Sequence, residues 1–394
     1  MSAYTPRKPI VIAHRGASGY RPEHTRSAYL LAIEQGADAV EPDLVSTSDG
    51  VLVIRHENEI SGTTDVSSHP EFADRRTTKA IEGVSLTGWF TEDFTWEELS
   101  TLHARERLPR LRKANRAFDG HDGILRFSDL LELLDAAPPT PETGRPVGLV
   151  AEIKHASYFE SIELPLDELF AAELARAGWG GPGVAQDARL TVESFETGVL
   201  GKIRDRGIRA RYVFLLEASG APADHPERPY ADYLTSEGLA ELAGAPTANR
   251  EPGVVGEPGL IGEPGLVGEP GLVGEPRLHD GLGGTAKTTE ANRMRGGLGL
   301  DGISVDKQLL LRADDAGRTN GVTELVDRAH AAGLAIFCWT LRAENRFLPA
   351  DLRLGVSSAA FGNWRHEFGL LMRSGLDGVF ADQPDLALEV RASL

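Results

Sequence analysis

The chain has 394 residues, 41% hydrophobic and 25% charged, with 41 Lys and Arg against 59 Asp and Glu for a formal net charge of −18. That balance excludes a nucleic-acid binder held by a basic surface, while the length admits two or three domains or one α/β barrel of about 250 residues or more. A single cysteine, Cys338, excludes an internal disulfide and a multi-cysteine metal site, and no apolar run is long enough to span a membrane.

In chain order, short apolar runs read as strands at Ile10–Ala13, Ala39–Val45, Val51–Ile54, Val147–Ile153, Leu190–Ser194, Arg211–Leu216, Gly302–Val305, Leu334–Thr340 and Gly378–Ala381. Most are continuously apolar, the pattern of buried parallel strands. Helical spacing lies between them, at Arg26–Gln35 before Gly36, Ser128–Ala136, Pro165–Ala177 before Gly178, and Thr323–Ala332 before Gly333. This alternation predicts an α/β fold around a parallel sheet. Eight or nine strands favour a closed barrel over an open sheet, although periodicity alone does not separate the two.

Two stretches break the rhythm. Residues 57–122 are polar and read as an insertion after the 51–54 strand. Residues 241–298 are rich in Gly and Pro, and within 251–276 a Glu-Pro-Gly repeat places Gly at every third position from Gly253 to Gly274. That is the collagen period. Extended as polyproline II, the repeat would reach about 65 Å, and the reading favoured here is a solvated low-complexity loop rather than a triple helix or a partner-binding arm. The residues before the first strand are polar and lead into too few apolar residues for a signal-peptide core, so the expected location is cytoplasmic.

Chemistry-bearing residues sit where the strands end. His14 and Arg15 follow the first strand and precede Gly16 and Gly19; a cationic Arg can pair with a phosphate, and His can transfer a proton. Glu41 and Asp43 flank Pro42 in the second strand, and residues i and i+2 share a face. Two carboxylates side by side in an apolar strand call for a hard divalent cation such as Mg²⁺ or Ca²⁺, although Pro42 also permits a solvated edge strand. Glu152 and Lys154 repeat the spacing, as a third ligand and an anion contact or as a simple ion pair. His56 closes the 51–54 strand, and Phe195 and Trp339 could wall a small polyol pocket. Polar groups at the carboxyl ends of five strands are how barrel active sites are built. Two His, two cations and three carboxylates suit phosphodiester cleavage, with one His removing a proton and the other protonating the leaving oxygen.

The ordered motifs HRGASGYRPEHT (from His14), EPD (from Glu41), VLVIRHEN (from Val51), EIKH (from Glu152), ESF (from Glu193), CWTLRAEN (from Cys338) and DGVFADQPD (from Asp377) resemble the glycerophosphodiester phosphodiesterase family, in particular its longer bacterial subgroup similar to the periplasmic enzyme. The resemblance covers about residues 10–235 and 298–392. It implies a TIM (β/α)8 barrel spanning 1–394 as a single domain, with 57–122 as a small capping insertion and 241–298 as the low-complexity Gly/Pro-rich insertion. Eight barrel strands would begin near Ile10, Ala39, Leu149, Leu190, Arg211, Gly302, Ala335 and Gly378, with 51–54 attached to the second.

By the same resemblance, His14 and His56 match the acid–base pair, and Arg15 and Lys154 match the phosphate-binding cations. Phe195 and Trp339 match the glycerol-side aromatics, and Glu41, Asp43 and Glu152 match the ligands of a divalent metal, Ca²⁺ or Mg²⁺. The implied reaction converts small glycerophosphodiesters such as glycerophosphocholine to sn-glycerol 3-phosphate and an alcohol, in some relatives through a cyclic phosphate. Alternatives are a lysophospholipase D-type or phosphoinositide-type phosphodiesterase on the same barrel, or a non-catalytic barrel scaffold. Two features depart from the family: His56 is followed by Glu57 where an Asp is common, and Pro42 separates the first two acids. The subgroup is usually exported, which the reading of the N-terminus does not match.

Overall fold

The structure is a computed structural model that describes residues 8–181, 189–244 and 298–394. The Glu-Pro-Gly repeat, and nearly all of the 241–298 insertion, lie outside the described residues.

Strand β1 (Ile10–His14) is followed by β2 (Ala39–Glu41) and β3 (Asp43–Ser46), two halves of one strand interrupted at Pro42, then by β4 (Leu52–Ile54). A hairpin, β5 (Thr77–Ile81) and β6 (Val84–Gly88), lies in the region read as the insertion. The chain continues with β7 (Gly148–Ile153), β8 (Leu190–Ser194), β9 (Arg211–Leu216) and β10 (Gly302–Asp306). A small antiparallel pair, β11 (Leu311–Ala313) and β12 (Thr319–Val322), precedes β13 (Ala335–Leu341) and β14 (Gly378–Ala381). The parallel strands run β2–β1–β14–β13–β10–β9–β8–β7, and β7 pairs with both β2 and β3, which closes an eight-stranded barrel. β4 adds to β3 in antiparallel fashion, so 51–54 is the extra strand attached to the second. The interrupted strand lies inside the barrel wall, which overturns the edge-strand alternative that Pro42 had left open.

The continuously apolar runs follow from two-sided burial. Ile12 points inward and packs with Ala39, Val150, Val213, Phe337 and Phe380 in the barrel interior. Val11 and Ala13 point outward, into the larger core beneath the helices. Burying each large aliphatic side chain stabilises the fold by about 1.5–3 kcal/mol. Helix Arg26–Gln35 begins where Thr25 accepts a hydrogen bond from the Ala28 N–H at 3.2 Å and stops at Gly36, whose φ of 89° is left-handed. Gly16 is forced by space as well as by its φ of 79°, because a Cβ there would lie 2.6 Å from the Ala28 carbonyl carbon. Cys338 is fully buried in the core. Among the described residues, no helix is long and apolar enough to cross a membrane.

Candidate active site

The inward parity that buries Ile12 also points His14 into the barrel mouth. Register then sets its neighbours: His14 pairs with Glu41, Asp43 with Glu152, and Glu152 with Glu193. An apolar interior thus changes, within one layer, to a charged one at the carboxyl ends of the strands. A cavity of about 830 Å³ opens there, and His14, Arg15, Glu41, His56, Glu152, Lys154, Phe195 and Trp339 all line it. Asp43 is fully buried and does not line the cavity. A second cavity, about 690 Å³, lies beside Tyr20, Arg110 and Phe361 and contains none of these residues.

Both histidines are held by carboxylates through Nδ1. His14 Nδ1 is 2.6 Å from Asp382 Oδ1, and His56 Nδ1 is 2.9 Å from Glu57 Oε1. Glu57, though longer than the Asp common in the family, reaches His56. Burial, and then the Arg15 charge, push the His14 pKa down to about 3; burial, Arg15 and Lys154 push His56 down to about 4. Both imidazoles are therefore neutral at pH 7 in the free protein. Burial opposes ionisation of Asp382, but Arg342 and Arg112 outweigh it and hold that carboxyl well below the usual range.

The carboxylates divide into two kinds. Asp43 is ionised despite its burial, because Arg15 (Nε at 3.2 Å) and His24 (Nε2 at 2.7 Å) hold its Oδ2. Burial pushes Glu41 well above the usual range, with Asp43 adding to the effect, and raises Glu152 to about 8. Glu193 is likewise raised by burial and by Glu152. Ligand oxygens of Glu41, Glu152 and Glu193 lie within 4.8 Å of one another. Glu41 Oε1, Asp43 Oδ1 and Glu193 Oε2 are buried without a hydrogen-bond partner. Glu152 Oε1 is likewise without a hydrogen-bond partner and lies 2.9 Å from Lys154 Nζ. The converging oxygens of Glu41, Glu152 and Glu193 suit a hard cation, which fits the donor set of Ca²⁺ or Mg²⁺; Asp43, expected as a ligand, is not part of this converging set.

On the remaining wall, Phe195 meets Trp339 edge-on at 5.9 Å, and Lys154 Nζ lies 5.5 Å from the Phe195 ring centre. Trp339 Nε1 is buried without a partner. Sequence reasoning did not single out Glu193, Asp382, His24, Arg112 or His155. A usable signal existed for two of them, since Glu193 and Asp382 are carboxylates at the ends of apolar strands. Arg112, which grips Asp382 and Glu344 from the region read as the insertion, had none.

The family model described as the glycerophosphoryl diester phosphodiesterase family matches residues 14–257. The chain belongs to this family. Its members are phosphoric diester hydrolases, and this chain is one. A glycerophosphodiester phosphodiesterase of Arabidopsis thaliana (GDPD6) is 28% identical over 382 residues, 95% of this chain and 84% of its own length. One from Haemophilus influenzae is 33% identical over 154 residues, and the match spans 39% of that protein's length. The fold is similar to that of a phosphodiesterase of this family from Silicibacter pomeroyi (TM-score 0.56, 17% identity, 99% and 95% of the two chains covered). It is also similar to an Oleispira antarctica phosphodiesterase solved with the product sn-glycerol-3-phosphate (TM-score 0.50, 17% identity, 97% and 96% covered).

If His14 transfers a proton in the reaction, Asp382→Asn lowers kcat by about 10²–10⁴-fold, because an amide no longer fixes the His14 tautomer or supports an imidazolium. The variant also removes the Asp382 charge from Arg112 and Arg342, although Arg112 keeps Glu344 at 2.8 Å, so a loss of stability is expected in a denaturant titration. Wild-type turnover in this variant would remove Asp382 from the machinery.

Proposed function

We propose that this phosphodiesterase hydrolyses small glycerophosphodiesters, glycerophosphocholine among them, to sn-glycerol 3-phosphate and an alcohol, with His14 and His56 as the proton-transfer pair. The observation that carries this reading is the pair of imidazoles in one cavity, each anchored through Nδ1 by a carboxylate. That anchoring commits Nε2 of each ring to the substrate side. The product held by the Oleispira antarctica relative fits the same chemistry.

Arg15 and Lys154 supply the positive centre that an acidic protein needs to bind a phosphodiester anion. An anion placed between them offsets the Arg15 and Lys154 charges that add to burial in depressing the two histidines, which favours protonation of one imidazole in the complex. The neutral ring takes the proton from the attacking hydroxyl, whether of water or of the glycerol 2-position, and the protonated ring delivers one to the leaving alcohol oxygen. Asp382 and Glu57 stabilise whichever ring is cationic. Phe195 and Trp339 present an apolar wall to the glycerol moiety. Glu41, Asp43 and Glu152, joined by Glu193, would hold a divalent cation, Ca²⁺ or Mg²⁺. When bound, it supplies charge neutralisation at the phosphoryl oxygens.

The test is a coupled glycerol-3-phosphate assay across choline, ethanolamine, glycerol and inositol diesters, run with Ca²⁺, Mg²⁺ and Mn²⁺. Glycerol 3-phosphate release from at least one diester, dependent on a divalent ion, is the expected result. Turnover of long-chain lysophospholipids alone would favour a different substrate class.

A further inference from the structure

Among the described residues, five besides glycine have left-handed backbones: Arg15, His24, Glu82, His155 and Glu163, with φ between 49° and 64°. Such conformations are uncommon outside Gly, Asn and Asp and cluster where a side chain must be aimed. Arg15 and His24 both grip Asp43. Glu82 and His155, both at φ 49°, grip each other: His155 Nδ1 is 2.7 Å from Glu82 Oε1. The other His155 nitrogen, Nε2, is 3.1 Å from Glu57 Oε2, and Glu57 Oε1 is 2.9 Å from His56 Nδ1. A continuous chain thus runs from Glu82 through His155 and Glu57 to His56.

The ends of this chain belong to different parts of the fold. Glu82 and Gly83 form the two-residue tip of the β5–β6 hairpin, and both have positive φ. A turn of that type favours Asn, Asp or Gly at its first position, so a Glu there points to a use for its side chain. His155 directly follows Lys154 and precedes the helix Ala156–Ser161. Glu57 needs the support. Its side chain is 41% exposed and has three rotatable bonds, so one polar contact with His56 does not fix its rotamer against water. A second anchor does. The flanking carboxylates hold His155 protonated, with its pKa up at about 9 in spite of burial, so both ring nitrogens donate.

We propose that His155 and Glu82 are positioning residues for catalysis: the capping hairpin, through Glu82, fixes His155, and His155 locks Glu57 in the rotamer that orients His56. The proposal rests on the reading of His56 as a proton-transfer group.

The experiment is steady-state kinetics on glycerophosphocholine with the full chain and its metal, for His155→Ala, Glu82→Ala, the double variant, His155→Gln and His56→Ala. Expected are a kcat loss of about 10-fold in His155→Ala and about 3-fold in Glu82→Ala, with KM within about 2-fold of wild type. The double variant should be no slower than His155→Ala, because both changes cut one chain. His155→Gln, whose amide N–H takes the place of Nε2–H, should recover most of kcat. Glu82→Ala changes only a hairpin tip, so it reads the same chain if His155→Ala is poorly folded. Wild-type kcat in both single variants, additive losses, a rise in KM alone, or no recovery by Gln would each overturn the proposal. If His56→Ala itself turns over normally, the functional reading fails first; if it is inactive while His155→Ala is normal, only this inference fails.

Discussion

His14→Ala and His56→Ala are each expected to lower kcat by about 10²–10⁴-fold while KM moves by only a few-fold. The size follows from what a positioned acid or base contributes to a transition state, and the small KM effect from the proposed binding of the anion by Arg15 and Lys154 rather than by the imidazoles. Neither change threatens the fold. Each replaces a side chain at the cavity mouth, and the apolar layer below, around Ile12, Val150 and Phe337, is untouched. The main structural cost is an anchor carboxylate left without its imidazole. Asp382 keeps two arginines and Glu57 keeps His155, so that cost is small. Rates within a few-fold of wild type in either variant, measured at saturating glycerophosphocholine, would contradict the acid–base assignment.

Chelation is expected to have an effect of similar size. With the cation removed, Glu41, Asp43, Glu152 and Glu193 face one another in a buried site, where like charges cannot all ionise. EDTA should therefore reduce turnover by more than about 100-fold, and Ca²⁺ or Mg²⁺ should restore it. Binding should also be visible without turnover. A ligand at 100 times its Kd stabilises the folded state by about 2.7 kcal/mol, a rise of about 3–4 °C in Tm for a domain of this size. Glu152→Gln should abolish that rise, and Glu193→Gln should reduce it. A Tm that ignores divalent ions, or full activity after exhaustive chelation, would remove the metal from the mechanism.

His155 gives a pH signature of its own. Its folded pKa of about 9 lies above the ordinary 6.5, so its contribution to stability is complete below pH 6.5 and is lost as pH rises through 9. That contribution is on the order of 3 kcal/mol at most. The stability gap between wild type and His155→Ala in urea should narrow between pH 6 and pH 9.5; a constant gap would deny the shift.

Much of this was legible in the sequence, for a definite reason. Strands buried on both faces read as unbroken apolar runs, and the barrel strands were found close to where Ile10, Ala39, Leu190, Arg211, Gly302, Ala335 and Gly378 begin. The candidate residues sit at or just after the carboxyl ends of those runs, so strand order and parity place most of them around one cavity, with Asp43 buried outside its lining. Other features do not follow from local pattern. Closure of the barrel depends on β7 pairing with β2 and β3, a long-range contact. Arg112 reaches Asp382 across 270 positions, and His155 reaches Glu57 across 98. Pro42 reads locally as an edge-strand residue, yet it marks a break within an interior strand, where its carbonyl accepts from the Glu152 N–H at 2.9 Å.

The most direct measurement is the ³¹P NMR spectrum of glycerophosphocholine during turnover with Ca²⁺ or Mg²⁺ present. The arrangement of His14, His56, Arg15 and Lys154 predicts conversion of the diester signal into that of sn-glycerol 3-phosphate, with free choline released. Appearance of phosphocholine and glycerol, which requires cleavage of the other P–O bond, would contradict the account, as would an unchanged diester.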